Sequence, residues 1–434
     1  MKKKLLVALA VGALTAATAV PALALENEFH GAFTTFYDLS NFSGDTNTIN
    51  GVIADDAPTQ NYFVQRFRLN YNAKASEQVK LVSRFEFDYN FWGNGSYQDG
   101  KRGGGGAIGA DSVQMETKNI YLELNYPAVN AKIGMMAHND AFKGLLFDAD
   151  LAGVLLAHNY ANASVSAGYF RLNDSGDGDA LGKNNNDLFA LEGKYNLSKT
   201  AKVGAGYYYL VDDSTTNEGA GTGTGRGASV HTVGLNAEGV VGPVTLNALV
   251  LKQFGDFNAT TDAKGLAANV GARVALGGGT LRSELLYVSG DDKAWYLPGG
   301  AGFTEGGQFY DSEMTMLGRN KFATAIDNAI IYDVNNNGEG VMMATVGYDY
   351  SFSDKLSASA NVGFAAVADN TDARGAVSDA DNDYLGTEVN AETYYNLTPN
   401  VTLGARAGYV FLGDYFDNDA DNIYDVKFVA RYNF

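Results

Sequence analysis

The chain has 434 residues, a formal net charge of −19 and no cysteine. The negative charge argues against nucleic-acid binding, which calls for basic surfaces, and the lack of cysteine excludes a disulfide framework, cysteine-ligated metal sites and covalent haem attachment. With only 6 prolines and a uniform composition along the chain, the sequence predicts one large domain rather than several.

Residues 1–24 have the pattern of a secretory signal peptide. The basic residues Lys2–Lys4 precede an apolar run from Leu5 to Val20, and a small-x-small motif ends at Ala24. We therefore expect the mature chain to begin at Leu25 and residues 25–434 to form a single domain, with an uncleaved anchor as the alternative. Beyond this run no stretch reaches about 18 consecutive apolar residues, so no transmembrane helix is predicted.

Alternation with a period of two follows from about residue 60 onward. The segments Tyr62–Ala73 and Val79–Phe91 form the first clear pair, with aromatic and aliphatic residues at every second position and charged or amide residues between them. Because successive side chains of a strand point to opposite faces, each segment predicts a strand that is apolar on one side and polar on the other.

The connectors between predicted strands alternate strictly between short and long. Short periplasmic turns and long extracellular loops are typical of outer-membrane barrels, and eight turns with nine loops predict eighteen strands and both termini at the turn end. Sixteen strands would result if one weak hairpin were misread. The short turns are at 76–78, 127–130, 161–162, 198–200, 241–243, 277–279, 353–355 and 398–400, and the long loops at about 38–61, 93–113, 138–150, 174–187, 212–229, 254–265, 291–340, 369–383 and 414–423.

Charged residues on the polar strand faces should line the interior of such a barrel, since barrels of 16–18 strands hold an aqueous channel. Neighbouring basic residues on two adjacent strands, Arg66, Arg68, Lys80 and Arg84, predict a field that acts on ions. The alternative is that these charges hydrate the wall or pair with one another. The main candidates for the pore lining are Arg66, Arg68, Lys80, Arg84, Glu86, Asp88, Glu123, Lys132, Arg282 and Arg406, and the same alternation adds Lys118, Arg273, Arg431, Glu284, Glu388 and Glu392.

The third long connector, residues 138–150, is short and unusually apolar for a solvated loop. Since porins commonly fold their third loop into the lumen, we expect it to form a constriction; packing on the barrel rim or on a neighbouring subunit is the alternative. The residues proposed for the constriction are His138, Asp140, Phe142, Lys143, Phe147, Asp148 and Asp150.

Other long loops are acidic, including the run Asp-Ser-Gly-Asp-Gly-Asp at 174–179. Carboxylates on flexible backbone suit calcium, which makes Asp174, Asp177 and Asp179 weak calcium candidates, although the full EF-hand pattern is missing. A hydrated acidic vestibule explains the same residues. We predict no other metal or cofactor. The two tryptophans, Trp92 and Trp295, are expected to anchor strand ends at the membrane interface.

The last eleven residues, Tyr424–Phe434, alternate an apolar face with a polar one and end in phenylalanine. Such a strand suits a wall with lipid on one side and water on the other. It also resembles the C-terminal assembly signal of bacterial outer-membrane barrels, in which Tyr432 and Phe434 would be read by the barrel assembly machinery. A soluble all-β sandwich or propeller is the alternative, but loops this long are uncommon in compact sandwiches.

Three stretches resemble the homotrimeric outer-membrane porins of sulfate- and metal-reducing Gram-negative bacteria. They are Gln65–Leu69 with the following strand, Gly106–Asp111 leading into Lys118–Leu122, and Leu145–Val154. The resemblance is clearest over residues 60–172 and the last strand, and weak in 291–340. It implies a homotrimer of separate pores through which small hydrophilic solutes diffuse.

The sequence thus predicts an all-β fold, a transmembrane antiparallel up-and-down barrel in the outer membrane, which acts as a passive porin and not as an enzyme. Its partners would be outer-membrane lipid and small hydrophilic solutes. Two alternatives stay open: a conduit barrel that supports a partner such as an outer-membrane cytochrome, and a substrate-selective channel.

Overall fold

The computed structural model describes residues 25–42, 59–93, 106, 115–174, 181–183, 185–212, 228–257, 261–296, 308–319, 329–371, 379, 381–416 and 420–434. The predicted signal peptide lies outside these residues. Eighteen strands, numbered β1 to β18 in chain order, run through them: Glu26–Ser40, Gln60–Ser76, Val79–Phe91, Met115–Tyr126, Val129–Asn139, Asp148–Asn159, Ala163–Asp174, Asn185–Asn196, Ala201–Asp212, Ala228–Val241, Val244–Asp256, Leu266–Leu276, Gly279–Val288, Val341–Ser351, Leu356–Ala366, Tyr384–Thr398, Val401–Leu412 and Ile423–Asn433.

Every strand pairs antiparallel with its neighbour in the chain, and β1 also pairs with β18, from Ala32 opposite Asn433 to Ser40 opposite Asp425. The sheet is therefore a closed cylinder without an edge, as a lipid-embedded sheet requires. The prediction of an eighteen-stranded antiparallel barrel is confirmed, and all eight short turns fall where the sequence placed them.

Two short 3₁₀ segments, Asp291–Lys293 and Asn336–Gly338, lie in the longest connector. Among the described residues, none forms a helix that is long and apolar enough to cross a membrane.

The outer face of the cylinder is apolar. Leu235, Leu285 and Phe428 are 62%, 59% and 55% exposed, although such residues are normally buried in a soluble protein. On the last strand, Asp425 and Lys427 are buried inside while Tyr432 and Phe434 lie outside, so the faces divide as the alternation predicted.

Strands β5 and β6 are longer than the sequence indicated. Their ladder continues to the pair Asn139 and Asp148, which leaves only residues 140–147 as the connector. The predicted loop 138–150 is therefore too long at both ends, and His138, Asp148 and Asp150 are strand residues. Backbone pairing at these positions satisfies donors and acceptors that a loop would leave open.

Candidate functional site

The connector 140–147 folds into the barrel, as the apolar residues in it predicted. The ring of Phe142 lies against the inner face of two paired glycines, where a Cβ atom at Gly206 or Gly234 would come within 2.7 or 2.4 Å of it. Asn236 donates a 2.9 Å hydrogen bond to the Ala141 carbonyl. The connector thus leaves the β5–β6 hairpin and rests on β9 and β10.

Asp140 fixes the shape of this connector. Its carboxylate is buried and accepts four backbone hydrogen bonds, from the amides of Phe142, Gly144, Leu146 and Phe147, at 2.6–3.0 Å. Burial raises the pKa of Asp140 to about 6, and the amide hydrogen bonds oppose the rise. A residue with four backbone contacts in eight residues of chain acts as the centre of a compact turn.

Lys143 extends the connector further around the wall. Its ammonium group lies 2.9 Å from Asn247 Oδ1, 2.7 Å from Asn269 Oδ1 and 2.8 Å from Glu284 Oε1, on β11, β12 and β13. Lys143 takes up a left-handed conformation with φ 63°. The connector therefore lies along the inner wall and reaches as far as β13.

The longest connector also enters the barrel. The main chain of residues 315–317 is held by Glu388 on β16, whose carboxylate is fully buried and accepts hydrogen bonds from the Thr315, Met316 and Leu317 amides at 2.7–3.0 Å and from the Thr315 hydroxyl at 2.8 Å. Met314 and Met316 lie over Gly363 and Gly408 of the wall. This segment covers the inner face of β15–β17.

We call residues 140–147, 294–296, 308–319 and 329–334 the lumen filling. Its apolar side chains form one buried cluster with the inner faces of the wall, including Leu188, Leu251 and Val341. Trp295 is fully buried in it and donates to the Leu145 carbonyl at 2.9 Å, so its expected place at the membrane interface is wrong. Trp92, by contrast, is 53% exposed and stacks on Phe63 at 4.8 Å between centroids.

The wall opposite this filling, on β2–β4, is charged. Glu86 is 1% exposed and forms ion pairs with Arg66 at 3.6 Å, Lys118 at 3.5 Å and Arg68. Lys118 also lies 3.7 Å from Asp150 on β6. Because these three cations and two anions are shared among β2, β3, β4 and β6, they form a network rather than isolated surface pairs.

Four further predicted wall residues lie on β3, β4 and β5. Lys80 pairs with Glu123 at 3.4 Å, Arg84 donates to Asn70 at 2.8 Å, and Lys132 lies 5.5 Å from the centroid of the Tyr121 ring. The side chain of Asp88 lies outside the described part of the chain.

A cavity of about 630 Å³ lies inside the barrel toward the short-turn end. Its charged lining comprises the arginines Arg66, Arg68, Arg273, Arg282 and Arg431 and the acids Glu313, Asp349 and Glu392. Five formal positive charges against three negative ones give this lining a net charge of +2. Sequence reasoning found all five arginines and Glu392 as wall residues but missed Asp349 on β14 and Glu313, which the longest connector places here.

Arg406 is the predicted wall residue that departs most from an aqueous lining. It is 4% exposed, and among the described residues none hydrogen-bonds to its three guanidinium nitrogens. Its cross-strand neighbours are Glu392 and Lys427. Arg406 therefore faces the interior beside the cavity without lining it.

The remaining predicted residues are the calcium candidates in the loop after β7 and the C-terminal phenylalanine. Asp174 accepts from the Gly182 amide at 2.9 Å and lies 3.4 Å from Arg171, while Asp177 and Asp179 lie outside the described residues. Within the described ranges, no group of three or more histidine, aspartate and glutamate side chains is arranged to hold a metal. At the C-terminus, Phe434 exchanges backbone hydrogen bonds of 2.9 and 3.1 Å with Gly31.

No protein-family model and no curated protein matches the sequence. Solved structures do match the fold. The chain is similar to the outer membrane protein OpdK from Pseudomonas aeruginosa, with a TM-score of 0.58, 15% identity and coverage of 94% of this chain and 99% of that one. It is also similar to OccAB2 from Acinetobacter baumannii, with a TM-score of 0.59, 11% identity and coverage of 94% and 98%. At these identities the likeness establishes the barrel fold.

Proposed function

We propose that this protein is a passive channel of the outer membrane that conducts small hydrophilic solutes and favours anions. The observation that carries the proposal is the cavity inside a closed barrel, lined by five arginines and three acids. A water-filled site with a surplus of positive charge concentrates anions and lowers the barrier to their passage. The apolar outer face supports a location in lipid.

The solved neighbours are consistent with this function. OpdK of Pseudomonas aeruginosa has been crystallised with vanillate, a small carboxylate, and resembles this chain with a TM-score of 0.58 and 14% identity. The arginine-lined cavity favours, as a second candidate, a channel that selects among small anions. We also propose residues 1–24 as its signal peptide, a homotrimer as its native state, and membership of the homotrimeric porins of sulfate- and metal-reducing Gram-negative bacteria.

The conduit alternative is less well supported. A barrel that encloses a folded partner needs an open bore, whereas the lumen filling and its apolar cluster occupy much of this one. The remaining cavity of about 630 Å³ is within the size range of small-molecule sites. In the described part of the chain, this arrangement favours contact of a partner with the rim of the barrel over its enclosure in the bore.

The test is conductance of the purified native oligomer in a planar bilayer. We expect stepwise current increments. In a potassium chloride gradient, the reversal potential should have the sign of the chloride equilibrium potential. Reversing charge at Arg66, Arg68 and Arg84 should move that potential toward potassium. Electrical silence of a verified folded preparation would contradict the channel function, and an unchanged reversal potential in the variants would reject this wall as the source of selectivity.

A further inference from the structure

One acidic side chain of the lumen filling enters the arginine-lined cavity. Glu313 belongs to the longest connector, yet its carboxylate lies 3.3 Å from Nη1 of Arg282 on β13 and forms part of the cavity lining. The two side chains are 20% and 10% exposed. The contact therefore lies at the boundary between the cavity and the filling.

The wall holds Arg282 in one orientation. Its Nε and Nη2 atoms each lie 3.0 Å from Asp349, and Nη2 also donates to Ser359 at 2.8 Å and Asn361 at 2.6 Å. A Cβ atom at Gly347 would meet Arg282 Nη1 at 2.7 Å, so the guanidinium lies flat on that glycine. The two-point contact with Asp349 uses Nε and Nη2, which leaves Nη1 to form the ion pair with Glu313.

The backbone of Glu313 is also held in place, and in an unfavourable conformation. Its φ angle is 63°, in the left-handed region that residues other than glycine rarely adopt. Asn390 donates to its carbonyl at 3.2 Å, and Glu388 fixes the residues that follow. Such strain persists only where the surrounding structure maintains it, and it is concentrated at functional positions.

We propose that Glu313 is a specificity-determining residue, an internal carboxylate that occupies the Nη1 edge of Arg282 and competes there with small carboxylate solutes. This inference rests on the proposed channel function. A permeating carboxylate binds Arg282 by displacing the side chain of Glu313, and Glu313 returns when the solute leaves. Competition of this kind keeps binding weak enough for transport, because a site that binds too tightly releases its solute slowly.

The test compares Glu313→Gln with the matched control Glu238→Gln, which removes an acid on β10 that pairs with Lys202 at 2.9 Å outside the cavity lining. The probe is potassium benzoate, titrated as a blocker of potassium chloride current in planar bilayers. We expect the half-blocking concentration to fall roughly fivefold in Glu313→Gln, the factor that corresponds to one contact-distance charge interaction in water. The control should keep the wild-type value.

A second variant, Glu313→Gly, removes the carboxylate and supplies a residue for which the left-handed backbone is unstrained. It should show the same shift, which separates loss of the charge from a disturbed fold. An unchanged half-blocking concentration in both Glu313 variants, or an equal shift in Glu238→Gln, would overturn this inference while the channel function stands. A wild-type protein that conducts no current would overturn both.

Discussion

At the scale of single residues, glycines determine how closely the connector 140–147 approaches the inner wall. Gly206 and Gly234 are cross-strand partners, and the fully buried ring of Phe142 occupies the space that two Cβ atoms would fill. The connector 140–147 can therefore lie flat on the wall because two adjacent strands have glycine at the same height. Close packing of this kind has little room for an added methyl group.

Gly234→Ala should destabilise the barrel by roughly 1–3 kcal/mol, because the new methyl group would overpack the site and force the Phe142 ring off the wall. Thermal unfolding in detergent measures the loss. Gly239→Ala is the control on the same strand, since its Cβ would lie 3.9 Å from the nearest atom outside its own neighbours. Equal melting temperatures for the two variants would contradict the close packing of the Phe142 ring on Gly206 and Gly234.

At the scale of elements, one carboxylate holds a long connector against the wall. Glu388 is fully buried, and its two oxygens accept from three consecutive amides and one hydroxyl of residues 315–317. Hydrogen bonds to a charged acceptor are about twice as strong as neutral ones. This one side chain therefore holds the main chain of residues 315–317 against β16.

Glu388→Gln should release residues 313–317 from the wall, because an amide group turns one acceptor into a donor that faces other donors. The loss of charge-assisted hydrogen bonds should cost roughly 2–3 kcal/mol. We expect single-channel current to become larger and noisier. Glu392→Gln on the same strand and face is the control, and identical current traces for the two variants would show that Glu388 does not hold the segment.

Strands were predictable because alternation depends only on local sequence, and lipid outside imposes it on every strand. The inward path of 140–147 was predictable from Phe142 and Phe147, which a solvated loop would not need. The path of the longest connector was not, because Glu388 and residues 315–317 are far apart in sequence. One local signal of apolar packing inside the barrel was available. Leu249, Val250 and Leu251 form an apolar run, which is typical of a strand buried on both faces.

At the scale of the whole molecule, the barrel closes where the first strand, β1, pairs with the last strand, β18. Phe434 pairs with Gly31 through both backbone hydrogen bonds, and its ring stacks with Phe67 and Tyr432 at 6.2 and 5.7 Å between centroids. A Cβ atom at Gly31 would lie 2.4 Å from the Phe434 ring. The terminal residue thus completes the seam between the first and last strands.

Phe434→Ala should lower the amount of folded protein in the outer-membrane fraction, because it removes the ring that packs over the seam and the proposed assembly signal. Phe428→Ala is the control, since Phe428 lies on the outer face of the same strand and is 55% exposed. The measurement is heat-modifiable mobility of the membrane fraction in gel electrophoresis. An equal loss of folded protein in both variants would show that the effect comes from lost contact with lipid and not from the terminal residue itself.

The lumen filling has a dielectric consequence for the arginine-lined cavity. An ion there has hydrocarbon behind the wall on one side and the apolar cluster of the filling close by, so part of its surroundings has a low dielectric constant. Coulomb energies scale inversely with the effective dielectric constant. Fewer fixed charges are then needed to control the current than in a wide, water-filled cylinder.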